Sequence, residues 1–174
     1  MLHMEWMETP LGDLIAIADD THLRVLSFRD RAKAKGVEAD FARHLGLTLE
    51  PSGNGVTGQV AAEIASYFDG RTTTFETPLA PAGSVFEQAV WQELLRVGAG
   101  TTCSYGDIAR KVGGVETSRA VGRANNANPL VIVIPCHRCI GADGSMTGYG
   151  AGLWRKKWLL RHEAEMCPVG LFAR

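Results

Sequence analysis

"SYGDIARKVGGVETSRAVGRANNANPLVIVIPCHRC", residues 104–139, strings together two helical patterns, an apolar run and the adjacent pair Cys136–His137. "SYGDIARKV" opens on Ser104 with Asp107 three residues on, the spacing of a capping box, and "GG" ends it. "ETSRAVGRANNAN" starts a second helix, with Thr117 or Ser118 as the cap. Helix, glycine turn, helix is the layout of a helix-turn-helix and equally of any αα-hairpin. On the second helix Arg119 and Arg123 lie four apart, hence on one face, with Ala120, Gly122 and Ala124 around them. Such a face can approach a backbone closely. After the Asn-Pro break at Asn128, residues 131–135 read as a buried strand that presents Cys136 and His137 at its end, as strand ends present side chains to pockets.

Three readings of Cys136 stand open from the residues alone. It can be a packed thiol, since cysteine is among the most buried residue types. It can pair with Cys139, three residues on, as a Cys-x-x-Cys metal or redox site. It can be a nucleophile, for which a neighbouring base is needed because a thiol near neutral pH is only a few per cent thiolate. Neighbours on an extended chain point to opposite sides, so a proton moving from Cys136 to His137 would pass through a water or across a turn. A third group would orient the imidazole, and "GLWRKKWLLRHEAE" offers Glu163 and Glu165.

Working outward, "SVFEQAVWQELLRVG" places Ser84 and Glu87 as a second capping box, followed by Phe86, Val90, Leu94 and Val97 as a buried stripe. Upstream, "RTTTFETPLAPAGS" with Pro78, Pro81 and Gly83 reads as the connection to an N-terminal α+β unit. In that unit residues 12–28 read as a hairpin around "DDT". "EADFARHLG" reads as a short helix, and "GQVAAEIASYFDG" as a longer one with Val60, Ile64, Tyr67 and Phe68 on one side. The expected class is α+β, with an N-terminal α/β domain at 1–80 and a mainly helical C-terminal domain at 81–174.

Composition fits that picture. The chain has 174 residues, 45% of them hydrophobic, enough for a normal core in one domain or two small ones. No apolar run nears the roughly 20 residues a bilayer crossing needs, and "MLHMEWMETPLGD" lacks the pattern of an export signal, so a cytoplasmic protein without membrane contact is expected. Four cysteines are too few for a disulfide scaffold and suit a reducing compartment. The net charge of -1 hides an asymmetry, with seven basic against twelve acidic residues in 1–84 and eleven against seven in 85–174. A polyanion would meet the second half, although ordinary scatter of surface charge produces the same numbers.

"IPCHR" with "NP" eight residues before the cysteine, "SYGDIA", "SRAVGRA" and "GSMTGYGAGLWRKKWLLRHE" together resemble the methylated-DNA-protein-cysteine S-methyltransferases, or O6-alkylguanine-DNA alkyltransferases. The likeness runs without an obvious gap from about Val85 to Glu163, and "TPLG" and "YFDG" extend it more loosely to the N-terminal half, as in the stand-alone bacterial members. It implies a ribonuclease H-like N-terminal domain with an antiparallel sheet and a winged-helix-like C-terminal domain. It also implies a suicidal DNA repair reaction on duplex DNA containing O6-alkylguanine, with O4-alkylthymine as a second candidate substrate. Cys136 would accept the alkyl group, His137 would take its proton through a water, and Glu163 would orient His137. Tyr105 would donate to guanine N3 and help rotate the nucleotide out, with Arg119 filling the gap it leaves. Asn128 would hinge the helix-turn-helix to the active-site run. Ser118 and Arg123 would add contacts to DNA, Tyr149 and Gly150 would close the pocket, and Cys139 would offer its backbone carbonyl to the guanine amine. The helix-turn-helix of this family enters the minor groove. No cofactor and no metal are implied, and a monomer is expected.

The chain departs from the family pattern in three places. Cys139 stands where a branched apolar residue is usual, Arg123 where a small residue is common, and Gly150-Ala151 follows the pocket tyrosine, from which an accommodating pocket is expected. Two competing readings are a damage-binding module without catalysis and a Cys-x-x-Cys thiol enzyme.

Overall fold

A computed structural model describes residues 1–36, 43 and 46–168, and the chain divides into two compact units, Met1–Ala82 and a second from Gly83 onward. The first unit is built on a sheet of order β3-β2-β1-β4. β2 (Leu14–Ala18) and β3 (Leu23–Phe28) form the expected hairpin, and β1 (Leu2–Met7) pairs antiparallel with β2 on the other side. All five residues of β2 are buried, which is why "LIAIA" does not alternate: a central strand covered on both faces needs no polar side. At the "DDT" turn the Asp19 carboxylate accepts from the backbone N–H groups of Thr21 and His22, both at 2.8 Å, and from Arg24 Nε at 2.6 Å. β1 was not legible in the sequence, because His3, Glu5 and Trp6 break its apolar pattern. β4 (Leu49–Glu50) adds a two-residue parallel edge to the antiparallel sheet.

Helix α1 (Arg29–Lys35) follows β3, and most of the helix expected in "EADFARHLG" lies outside the described residues. α2 (Gly55–Phe68) begins three residues earlier than its pattern suggested, because Asn54 caps it by accepting from Val56 and Thr57 N–H. Val60, Ile64 and Tyr67 are buried as expected, and Phe68 is half-buried. The connection after α2 is more than a linker. Leu23 N–H donates to Pro78 O and Ala80 N–H to Leu23 O, so residues 78–80 run along the edge of β3. The Glu63 carboxylate holds the same segment through Glu76 N–H, Thr77 N–H and the Thr77 hydroxyl.

The second unit starts with α3 (Val85–Leu94), whose Ser84–Glu87 capping box forms as read. Val90 and Leu94 are buried, whereas Phe86 and Val97 are only half-buried, and Trp91 carries more of the interface than the stripe suggested. Its indole Nε1 donates to Ala124 O at 2.9 Å, fixing α3 to α5 (Ser118–Ala127). β5 (Cys103–Ser104) leads into α4 (Tyr105–Val112), capped by Ser104 and Asp107. Between α4 and α5 a 3-10 turn, Val115–Thr117, follows Gly114, which holds φ 116°, open only to glycine at little cost. Neither Thr117 nor Ser118 caps α5. Their hydroxyls turn back to Gly114 O and Val115 O, each at 2.7 Å, adding a second donor to carbonyls that already accept the backbone N–H groups of the same two residues. The unit closes with β6 (Cys139–Ile140), parallel to β5, and α6 (Leu153–Met166). No helix among the described residues is long and apolar enough to cross a membrane.

Candidate active site

The run 131–135 is buried but is not a strand. Ile134 N–H donates to Leu130 O, Val133 N–H to Val131 O, and Ile132 sits at φ 71°, an unusual conformation for a β-branched residue. Leu130, Val131, Ile132, Val133 and Ile134 are each at most 5% exposed, which produces the same apolar string as a buried strand. The Asn128 side chain supplies what a neighbouring strand would have supplied. Its Oδ1 accepts from Leu130 N–H at 2.9 Å, and its Nδ2 lies 2.8 Å from Ile134 O and 3.1 Å from Cys136 Sγ. One buried amide thus ties the end of α5 to the coil and to the thiol.

Cys136, His137 and Arg138 form a single 3-10 turn, all three buried. The turn removes the geometric objection to adjacent residues working together, since side chains on a turn need not oppose each other. His137 Nε2 lies 2.7 Å from Glu163 Oε1 on α6, and both side chains are fully buried. Burial holds the imidazole below its usual pKa, although the Glu163 hydrogen bond pulls the other way, with Arg138 and Lys156 adding to the depression. Burial on its own would raise Glu163, yet hydrogen bonds from His137 and Arg138 hold it well below the usual carboxylate range. A carboxylate accepts only, so Nε2 carries the proton and Nδ1 keeps its lone pair. Nδ1 is buried and meets no partner among the described residues. The ring is therefore set up as a proton acceptor at that atom.

Two of the buried cations, both at the site, escaped the sequence reading. Arg138 Nε donates to Glu163 Oε2 at 2.8 Å and one of its terminal nitrogens to Glu163 Oε1 at 2.9 Å, while the other reaches Val97 O at 2.6 Å. Lys156 is 0% exposed, and its ammonium donates to Cys139 O at 2.5 Å and Thr147 O at 3.1 Å. Arg138 adjoins the cysteine motif and Lys156 lies on the same helix as Glu163, but a basic residue in a helical pattern normally reads as a solvated face. The Thr147 carbonyl also accepts from Tyr105 OH at 2.9 Å, so Tyr105 and Lys156 pin the loop before α6 from two sides. Burial and the nearby Cys139, Cys136 and Cys103 push Tyr105 up to about 12, so its hydroxyl stays protonated and donating near neutral pH.

The structure therefore brings together Cys136, His137, Glu163, Asn128, Cys139 and Tyr105. Glu165, the other acidic candidate, is exposed. Arg119 and Arg123 project from α5 as exposed side chains with no ion pair among the described residues, and Ser118 is half-buried at its start. Tyr149 is half-buried and Gly150 exposed, in the loop before α6. Cys139 hydrogen-bonds to Cys103 and lies beside Asn125, so it has a thiol neighbour that the Cys-x-x-Cys spacing did not suggest.

The Glu163–His137 pair fixes an acid response. Both groups have depressed pKa values in the folded chain, so the unfolded chain binds protons more readily and stability falls as pH drops. Between pH 7.5 and 5.5 the loss should set in near 6.5, where an unfolded histidine titrates, at up to about 1 kcal/mol per pH unit below it. Urea unfolding at the two pH values measures it, and a flat response would remove His137 as a buried neutral base.

Residues 2–81 match the family described as 6-O-methylguanine DNA methyltransferase, ribonuclease-like domain, and residues 85–165 the DNA binding domain of the same name. A methylated-DNA–protein-cysteine methyltransferase of Mycobacterium leprae is 39% identical over 177 residues, covering 98% of each chain. The crystal structure of the Mycobacterium tuberculosis O6-methylguanine methyltransferase superposes with a TM-score of 0.78 at 34% identity, covering 98% of each chain. A structure described as Mycobacterium tuberculosis OGT in complex with DNA gives 0.80 at 35% identity and 96% of each chain.

Proposed function

This chain belongs to the 6-O-methylguanine DNA methyltransferase family, and from that premise we propose that it repairs O6-alkylguanine in duplex DNA by moving the alkyl group irreversibly to Cys136. The observation that carries the assignment is the buried line from Cys136 through the turn to His137 and its 2.7 Å contact with Glu163. His137 Nδ1 draws off the thiol proton by way of a water. Sulfur then bonds to the alkyl carbon as the carbon–O6 bond breaks, and the electron pair passes to guanine. Glu163 stabilises the imidazolium so formed, and Arg138 keeps Glu163 ionised and in place. Tyr105, a donor at neutral pH, turns its one O–H from Thr147 O to guanine N3 as the base becomes an anionic leaving group, while Lys156 keeps its hold on Thr147 O. Lys156 holds the carbonyls of Cys139 and Thr147, and with them both edges of the pocket. No step regenerates the thiol, so each chain acts once.

Guanine O6 lies inside the stack, so the nucleotide must be extruded, at a cost of a few kcal/mol. The helix-turn-helix of α4 and α5 docks in the minor groove, with the exposed Arg119 entering the vacated space and Arg123 meeting phosphate. On this reading the second unit, from Gly83 onward, holds both DNA and the reaction. The test is mass spectrometry after incubation with a duplex carrying O6-methylguanine. One methyl group per chain on Cys136 is expected, and an unmodified protein that still binds the lesion would replace this reading with the damage-binding one.

Arg119→Ala separates extrusion from chemistry. Transfer from the duplex should slow by about tenfold or more, corresponding to lost support for the unstacked state, while reaction with free O6-benzylguanine stays within about twofold. Equal slowing on both substrates would remove the flipping role.

A further inference from the structure

Cys139 has two sulfur neighbours within reach. Across the parallel pair β5–β6 its register partner is Cys103. Adjacent strands run about 4.8 Å apart, inside the roughly 4.4–6.8 Å between Cα atoms that a disulfide takes. The two thiols hydrogen-bond, and none of the four cysteines is in a disulfide. Along the chain, Cys139 N–H donates to Cys136 O across the 3-10 turn, and one helical turn also brings Cα atoms within disulfide reach. A bond from Cys139 to Cys136 would silence the transfer thiol, whereas a bond to Cys103 would not touch it. Cys103 is half-exposed and Cys139 fully buried.

We propose that Cys103 and Cys139 are a dithiol pair that small disulfides of the glutathione type close to an intramolecular disulfide, and that this keeps Cys139 from capturing Cys136. The inference rests on the reading of Cys136 as the alkyl acceptor. Cys103 is the entry thiol. It is the accessible one, and the hydrogen bond from Cys139 draws it below the usual thiol pKa, while the same bond and burial push Cys139 up. The Cys103 thiolate attacks the small disulfide, whose S–S bond breaks and releases one thiolate. Cys139 then attacks Cys103 Sγ as its proton passes to the departing thiolate, releasing the second small thiol. Two protein thiols are oxidised to one disulfide, and one small disulfide is reduced to two thiols. Because the partners are already in register, closure needs no change in strand pairing, and Tyr105, two residues after Cys103, keeps its place at the start of α4.

The full chain and Cys103→Ser are incubated with glutathione disulfide, blocked with N-ethylmaleimide, mapped by peptide mass spectrometry and assayed for transfer from a methylated duplex before and after. Wild type should show a Cys103–Cys139 peptide pair and an unmodified Cys136, with transfer within about twofold of the untreated protein. Cys103→Ser should match wild type before oxidation and lose about tenfold or more after it, as Cys136 appears in a disulfide with Cys139. The proposal is overturned if wild type forms no Cys103–Cys139 bond, if wild type loses transfer on forming it, or if Cys103→Ser keeps its transfer after oxidation. Failure of the functional reading shows separately, since untreated wild type would then transfer nothing while the mapping still reports the pair.

Discussion

Cys136→Ala is expected to abolish alkyl transfer and to leave duplex binding within about threefold of wild type. The substitution removes the sulfur that forms the new bond, and none of the other three cysteines adjoins the His137–Glu163 pair as Cys136 does. The fold should tolerate it. Of the two Asn128 Nδ2 contacts Cys136 Sγ takes the longer, and Ile134 O at 2.8 Å still takes that donor, so the cost expected is about 1–2 kcal/mol for the lost packing of a small side chain. Single-turnover transfer from a methylated duplex, with binding measured on the same preparation at fixed salt, decides it. Transfer of a methyl group to Cys103, Cys139 or Cys167 would sink the assignment, and so would loss of binding in a protein that remains folded.

Glu163→Gln should have the second-largest effect, and it acts on stability and chemistry together. Glu163 compensates the buried Arg138 and orients His137, both through its carboxylate oxygens. Glutamine keeps the shape and one acceptor, but leaves the Arg138 guanidinium in the interior without a counter-charge. Breaking a buried pair in this way costs about 3–5 kcal/mol. The rate of transfer should fall by about a hundredfold or more, because in the proposed mechanism the imidazolium formed when His137 takes the thiol proton loses its stabilising charge. The two effects separate by pH. With the carboxylate gone, transfer by the variant should recover as pH rises and Cys136 ionises unaided, whereas a purely structural defect would not respond. A variant with wild-type transfer at pH 7 would show that Glu163 only holds Arg138.

Capping boxes and helical stripes were legible because local sequence decides them. Ser84–Glu87 and Ser104–Asp107 close rings within a single turn, so no distant partner is needed. The hairpin around Asp19 was legible for the same reason. The apolar run at 131–135 misled because burial, which it reported correctly, does not specify backbone conformation. Asn128, three to seven residues before it, decides the coil by satisfying its polar groups from the side.

At the site, adjacency made Cys136 and His137 candidates for nucleophile and base among three readings, the closing helix offered Glu163 beside Glu165, and the family resemblance chose among these and added Tyr105. The sequence could not show Arg138 and Lys156 as interior residues, because a cation is buried only where partners distant in the chain take its hydrogen bonds. Nor could it choose a partner for Cys139. Spacing along the chain favours Cys136, three residues away, but the parallel pairing of β5 with β6 sets Cys103 beside it from thirty-six positions upstream. Sequence fixes which groups are near along the chain and which turns they favour. Only the packed structure decides which of them share a dry, low-dielectric interior, and there the partner that faces a group across space outranks the one that follows it in sequence.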